Sequence, residues 1–139
     1  MTARRVELVS GVAAFFVGAA GWLWAVFGPT YTAAGSYSTG RDTPPVIVTE
    51  PGSLAQVQDL GSGPIVFLLA LLTCLVAVGL GAYLHASRRT SSGLPILVMA
   101  TLFLVGGVVL SAFTVGLFIV PAAALAVVAS IAGWRVPTD

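Results

Sequence analysis

The side chains that could support catalysis or bind a metal ion are few in this chain of 139 residues. It has one cysteine, Cys74, and one histidine, His85. A metal cage needs several such ligands, and a nucleophilic triad needs the histidine beside its partners. The carboxylates Asp42, Glu50 and Asp59 lie in a Gly/Pro-rich segment, and their spacing matches no helix face. These residues therefore predict a protein that is not an enzyme.

Cys74 and His85 each have a functional and a structural interpretation. Cys74 lies within a long apolar run, where a thiol is expected to pack and to stay inert. His85 comes just before Arg88 and Arg89, which predicts a residue at the membrane boundary. The alternative for His85 is a single axial ligand to a haem or a chlorophyll-type pigment. No residue pattern calls for a cofactor, and we expect none.

The composition indicates that these residues are carried by membrane-spanning helices. Hydrophobic residues make up 58% of the chain, charged residues 8%, and the mean hydropathy is +1.02, whereas a soluble domain carries about 25% charged residues. The stretch from Leu94 to Trp134 has no charged residue and no histidine. One straight helix of that length would be about twice as long as a hydrocarbon core of about 30 Å, so the stretch must form a helical hairpin.

The apolar runs predict one all-α membrane domain over residues 1–139, a compact bundle of four transmembrane helices. A leader, 1–7, carries Arg4, Arg5 and Glu7, and we expect the first apolar run to be retained as a span because it is longer than a signal-peptide core. None of the predicted spans contains a carboxylate, Lys or Arg, which argues against a pump or voltage sensor. The predicted spans are 8–27, 63–85, 94–112 and 116–134.

The loop between the first two spans, 28–62, is the one long polar segment. Its β-branched run 46–49 predicts a short strand. Ser53 and Gln56 have the spacing of a capping box, which predicts a short helix after Pro51-Gly52. We expect this loop to cap the outer ends of the spans, with a mobile surface loop as the alternative. The apolar side chains of that cap would be Leu54, Val57 and Leu60.

The arginines predict the orientation of the chain in the membrane. All six basic residues are arginine, and five of them fall in the two tails and the second connection. In a four-span topology these segments share one side, so the positive-inside rule predicts cytoplasmic termini and an external long loop in the plasma membrane. The net charge of +1 gives no reason to expect nucleic-acid binding.

Small residues four apart predict where the helices pack against one another, because they let backbones approach closely. Contacts with another subunit are the alternative use of the same spacing. The residues in question are Ala14 and Gly18, Ala77 and Gly81, Gly107 and Ser111, and Ala122, Ala126 and Ser130.

Short motifs in the chain resemble uncharacterised small bacterial four-helix membrane proteins. The first loop opens with Pro29-Thr30-Tyr31, contains Ser53-Leu54 and closes with Gly61 or Gly63, and the last hairpin carries Gly116 and Pro121. The resemblance implies a topology and no activity. The all-arginine, Ala/Val/Gly-rich composition also fits a GC-rich bacterial genome.

These observations favour a structural or accessory subunit that contacts the bilayer and another membrane protein, or a second copy of itself. The alternative is a bundle that binds a lipid-like or pigment-like molecule under the external loop. The residues expected to contact that partner or ligand are Trp22, Trp24, Tyr31, Tyr37 and Leu54. A third hypothesis is transport along a weakly polar path formed by Thr73, Thr101, Ser111 and Thr114 in a dimer.

Overall fold

Four long helices dominate the computed structural model of the chain, which describes residues 2–37, 46–56, 61–88, 90–111 and 115–135. All four are long and apolar enough to cross a membrane. This confirms the predicted all-α, multi-pass membrane bundle. The helices are α1 (Ala3–Phe27), α2 (Ser62–Arg88), α3 (Gly93–Leu110) and α4 (Gly116–Gly133).

The first helix begins five residues before the start predicted for the first span. The amides of Arg5 and Val6 both donate to the carbonyl of Thr2, which closes the first helical turn. Arg and Glu are good helix formers, and a charged side chain can leave the apolar region at its tip without ending the helix. Glu7 is therefore a residue of α1, and the prediction of spans without a carboxylate is wrong.

The helices form a closed ring in chain order. Each packs against its sequence neighbours, and α4 packs against α1 to close the ring. Helices α2 and α4 also touch across the centre. The largest fully buried apolar side chains lie on α2, α3 and α4, and they are Leu75, Val78, Leu97, Leu104 and Ile119.

Tight turns join α2 to α3 and α3 to α4. After α2, the amide of Thr90 donates to Leu84 O at 3.2 Å and that of Gly93 donates to Thr90 O at 3.0 Å. After α3, the amide of Gly116 donates to Ser111 O at 2.9 Å. A Cβ on Gly116 would lie 2.6 Å from that same oxygen, so the turn requires glycine. The reversal is predicted over about 113–116, and its first two residues, 113 and 114, lie outside the described residues.

A β-hairpin occupies part of the long loop. Strands β1 (Tyr31–Tyr37) and β2 (Val46–Gly52) pair antiparallel, with Tyr31 opposite Gly52 and Tyr37 opposite Val46. The second strand contains the predicted β-branched run, whereas the first strand was not predicted.

The segment after the hairpin forms one 3₁₀ turn, Leu54–Gln56, which contacts α1. The amide of Ser53 donates to Gln56 Oε1 at 3.1 Å, the Gln half of the predicted capping box. In place of the other half, the amide of Gln56 donates to the backbone carbonyl of Ser53. Val57 and Leu60 lie outside the described residues.

Candidate functional site

A carboxyl group and an imidazole meet inside the bundle, between α1 and α2. Glu7 Oε1 lies 2.7 Å from His85 Nδ1, so one of the two atoms carries the proton that the hydrogen bond requires. Glu7 is 0% and His85 is 2% exposed. The ring of His85 is therefore enclosed by the helices, three residues before the end of α2. That His85 lies at the depth of the membrane boundary stays a prediction.

The other two helices close over this pair with glycines. A Cβ on Gly133 of α4 would lie 3.0 Å from Glu7 Oε1, and a Cβ on Gly93 of α3 would lie 2.8 Å from the Cβ of His85. All four helices thus meet around the pair. The absence of a side chain at both glycine positions is what lets the helices approach so closely.

Arg4 ties the start of α1 to the end of α2 beside the pair. Its Nε donates to the carbonyl of Ala86, and an Nη atom donates to the carbonyl of Ser87 at 3.3 Å. The last carbonyls of a helix have no partner within the helix and carry partial negative charge. The guanidinium therefore satisfies the end of α2 and places a positive charge where that end favours one.

The pair has unused hydrogen-bonding capacity. Glu7 Oε2 and His85 Nε2 are buried and have no hydrogen-bond partner among the described residues. Neither residue lines the grooves described below. An acid and an imidazole at this distance can exchange a proton, but their burial separates them from any molecule in solution or in the lipid.

The axial-ligand alternative for His85 can be compared with this geometry. Nδ1 faces Glu7, so only Nε2 is left to bind a metal centre. Among the described residues no three His, Cys, Asp or Glu side chains are grouped as a metal site. Cys74 is half-buried on α2 and packs against the apolar core.

The sequence contained a weak signal for the Glu7 and His85 contact. Glu7 is the fifth residue of α1 and His85 lies three residues before the end of α2. Antiparallel neighbouring helices place such positions at similar depth. Hydropathy alone does not reveal this contact, because the apolar run is shorter than the helix that contains it.

A second site lies at the opposite end of the bundle, beside the 3₁₀ turn of the long loop. A groove of about 280 Å³ runs between α1, α2 and the 3₁₀ turn. The indole Nε1 of Trp22 donates to the carbonyl of Leu68 at 2.9 Å, so the ring is fixed and its polar edge is occupied. The lining residues are Trp22, Val26, Leu54, Ala55, Ile65, Leu68 and Leu69.

Two of the five predicted contact residues, Trp22 and Leu54, meet in this groove. Trp24 lies outside the lining and is 59% exposed on the outer surface of α1. The side chains of Tyr31 and Tyr37 lie outside the described part of the structure. The groove is therefore assembled from Trp22, Leu54 and aliphatic residues that the sequence did not single out.

The residues named for helix packing fall at several depths. Ala77, Gly107 and Ser130 are half-buried, and a Cβ on Gly107 would lie 2.7 Å from the Leu71 side chain. The buried members are Ala14, Gly18, Gly81, Ser111, Ala122 and Ala126.

The closest helix approaches include two glycines of α1 that were not named. A Cβ on Gly11 would collide with Ala82 of α2, and one on Gly21 would collide with the backbone of Phe118 in α4. With Gly18 they are spaced by seven and three residues, which places them on one helix face. The spacing of these three glycines in the sequence therefore predicts a helix-packing face on α1.

The hydroxyl groups proposed as a transport path do not share one surface. Thr101 is buried, and its Oγ1 lies 3.0 Å from Ser130 Oγ, which joins α3 to α4. Thr73 is exposed on α2 and donates to Leu69 O of its own helix at 2.8 Å. Thr114 lies outside the described residues. The polar path in a dimer stays a prediction.

Comparison with protein-family models, curated proteins and solved structures finds no match. The resemblance seen in the sequence is therefore supported only as far as the architecture. The chain is an integral membrane protein built on four apolar helices.

Proposed function

We propose that this chain is a non-catalytic membrane protein that acts as a structural or accessory subunit beside another membrane protein. The observation that carries the proposal is the enclosure of Glu7 and His85, which are 0% and 2% exposed. Among the described residues, the one pair of an acid and an imidazole forms a contact between α1 and α2, at a point where all four helices meet. Its geometry serves assembly of the bundle and offers no access to a substrate.

The outer face of α3 supports contact with a partner helix. Met99, Phe103, Gly106 and Leu110 follow one another at four, three and four residues and are all exposed, so they form one stripe along the helix. A Cβ on Gly106 would have no atom within 4 Å. A glycine between large side chains leaves a notch in which a second transmembrane helix can approach the backbone.

The orientation proposed from the sequence fits the charges at one end of the bundle. We call this the arginine end: it comprises the start of α1, the end of α2, the start of α3 and the end of α4. Arg5, Arg88 and Arg135 are exposed there. By the positive-inside rule this end lies in the cytoplasm and the hairpin lies outside. A bacterial plasma membrane is the proposed location.

A photo-crosslinking amino acid at two matched positions tests the accessory function. Phe103 on α3 and Phe16 on α1 are both 65% exposed, so they meet lipid equally in an isolated protein. In native membranes we expect a stoichiometric crosslink to one other polypeptide from position 103 and none from position 16. Equal crosslinking from both positions, or lipid adducts only, would contradict the proposal.

Two glycine substitutions provide the matched control. Gly106→Leu fills the notch on α3, whereas Gly63→Leu adds the same bulk at a position that also has no atom within 4 Å of a Cβ. We expect the crosslink from position 103 to disappear in the first variant and to persist in the second. A crosslink between two copies of this chain would show self-association and would contradict the accessory-subunit proposal.

The groove beside the 3₁₀ turn favours a second candidate function, binding of a lipid-like or pigment-like molecule. Its walls are aliphatic and aromatic, and the Trp22 N–H is already bonded to Leu68. The groove therefore selects by shape and apolar contact, as hydrophobic ligand sites do.

Filling the groove tests this candidate without breaking the Trp22 hydrogen bond. Ala55 is exposed and lines the groove, so Ala55→Trp places a ring inside it. We expect a molecule that co-purifies with the wild type, identified by mass spectrometry after solvent extraction, to be lost from this variant. Equal amounts of the molecule in both proteins would rule out the groove as its site.

A further inference from the structure

Two apolar grooves flank the last turns of α4 at the arginine end. One, of about 380 Å³, lies between α4 and α1 and is lined by Ala3, Val6, Val128, Ile131, Ala132 and Arg135. The other, of about 450 Å³, lies between α4 and α3 and is lined by Val98, Ser130, Ile131, Trp134 and Arg135. Ile131 and Arg135 belong to both grooves.

Ile131 forms the ridge between the two grooves, and Arg135 stands at its end. Arg135 lies in the turn that follows α4, where its amide donates to Ala132 O at 3.1 Å, and it lines both grooves together with Ile131. Ile131, Trp134 and Arg135 are all exposed. Each groove is therefore apolar along the helix and ends at the same guanidinium group.

The charge at this end is positive and is not neutralised within the described residues. Arg5 and Arg135 are exposed, and the one ion pair of the described residues joins Glu7 to His85. Glu7 is buried and cannot screen the outer surface. A guanidinium at a membrane boundary matches the geometry and charge of a phosphate group.

We propose that one anionic diacyl phospholipid binds at this ridge. Its phosphate lies on the Arg135 guanidinium, and one acyl chain lies in each groove on either side of Ile131. Trp134 lies at the level of the headgroup, which is the position that indole rings prefer. Two grooves meet at one cation, so the site fits a lipid with two acyl chains. Free phosphate would contact the cation and leave both grooves empty.

Native mass spectrometry of the full chain in mild detergent tests the site with two lipids that share the same acyl chains. The probes are palmitoyl-oleoyl phosphatidylglycerol, which is anionic, and palmitoyl-oleoyl phosphatidylcholine, which is zwitterionic. We expect one molecule of the anionic lipid to remain bound at detergent concentrations that remove the other. Removal of one interfacial cation should weaken its retention by about fivefold.

Arg135→Gln is compared with Arg88→Gln, which removes the same charge from the same end at an exposed residue outside both grooves. We expect the first variant to lose the anionic lipid and the second to retain it. An equal loss in both variants would show a general charge effect and would overturn the proposal, as would equal binding of the two lipids.

Ile131→Trp tests the grooves separately from the charge, because it adds bulk to the ridge and leaves Arg135 in place. Leu117→Trp is its control, since Leu117 is also exposed on α4 but lies at the opposite end. We expect lipid retention to fall only in the first variant. Unchanged lipid retention in Ile131→Trp would refute the two-chain site, because the grooves would then have no role. Displacement of the lipid by soluble glycerol phosphate, at a concentration similar to that of the lipid, would refute it as well.

Discussion

The contact between Glu7 and His85 predicts strong energetic coupling between α1 and α2. Glu7→Leu and His85→Leu each remove one partner and leave the other buried without its hydrogen bond. A buried polar group in that state costs about 1 to 3 kcal/mol. The double variant removes both polar groups, so its loss should be smaller than the sum of the two single losses.

The size of the coupling follows from the burial of the pair. Polar contacts between membrane helices couple by about 0.6 kcal/mol on average and by about 1.7 kcal/mol at most, because the unfolded helices find other partners in the membrane. Here neither side chain exceeds 2% exposure, so neither can recruit water after its partner is removed. We therefore expect a coupling near the upper value, about 1.5 kcal/mol.

The assay is reversible unfolding in mixed micelles by titration with a denaturing detergent, followed by far-UV circular dichroism and tryptophan fluorescence. Glu7→Gln is the conservative control, because its amide can still bond to His85 Nδ1, and it should retain most of the stability. If the losses of the two Leu variants simply add in the double variant, the pair does not couple the helices, and its assignment as the point of assembly fails.

Two other substitutions have matched controls. Gly81→Ala should destabilise the bundle by about 1 to 3 kcal/mol, because its Cβ would lie 2.7 Å from the backbone nitrogen of Leu97. Gly63→Ala is the control and should leave the stability unchanged, because a Cβ there has no atom within 4 Å. Equal losses of stability in the two variants would contradict close packing of α2 on α3. Trp22→Phe keeps the ring and loses the hydrogen bond, so it should cost about 0.5 to 1.5 kcal/mol. Trp24→Phe changes an exposed ring and should lower the stability less than Trp22→Phe does. The same micelle titration measures both variants, and a larger loss for Trp24→Phe would contradict this prediction.

The architecture could be predicted from the sequence because the membrane allows few solutions. Long apolar runs must be helices, and a run too long for one crossing must turn back. The observed helices Ser62–Arg88, Gly93–Leu110 and Gly116–Gly133 differ from the predicted spans by at most three residues at either end. Glycine or proline marks the start of each of these three helices, and their backbone preferences hold in any fold.

The buried pair could not be predicted because hydropathy reports the environment of a segment and not the length of its helix. The apolar run starts at Leu8, which predicts that Glu7 belongs to a polar leader. The helix itself starts at Ala3 and therefore includes Glu7. Pairing between helices also depends on rotation of each helix about its axis. Composition does not give that rotation, so the hydrogen bond from half-buried Trp22 on α1 to Leu68 O on α2 could not be predicted either.

The ring order of the helices has a consequence for how the protein is made. Helix α1 packs against α4, which leaves the ribosome about a hundred residues later, or roughly 5 to 20 s at ordinary rates of synthesis. During that interval α1 must wait in the membrane with one flank exposed to lipid. His85 arrives with α2, about 50 residues before the end of α4, so the Glu7 carboxyl can be paired before the last helix is available. The polar contact thus gives the growing chain a two-helix intermediate that already holds its acidic group away from lipid.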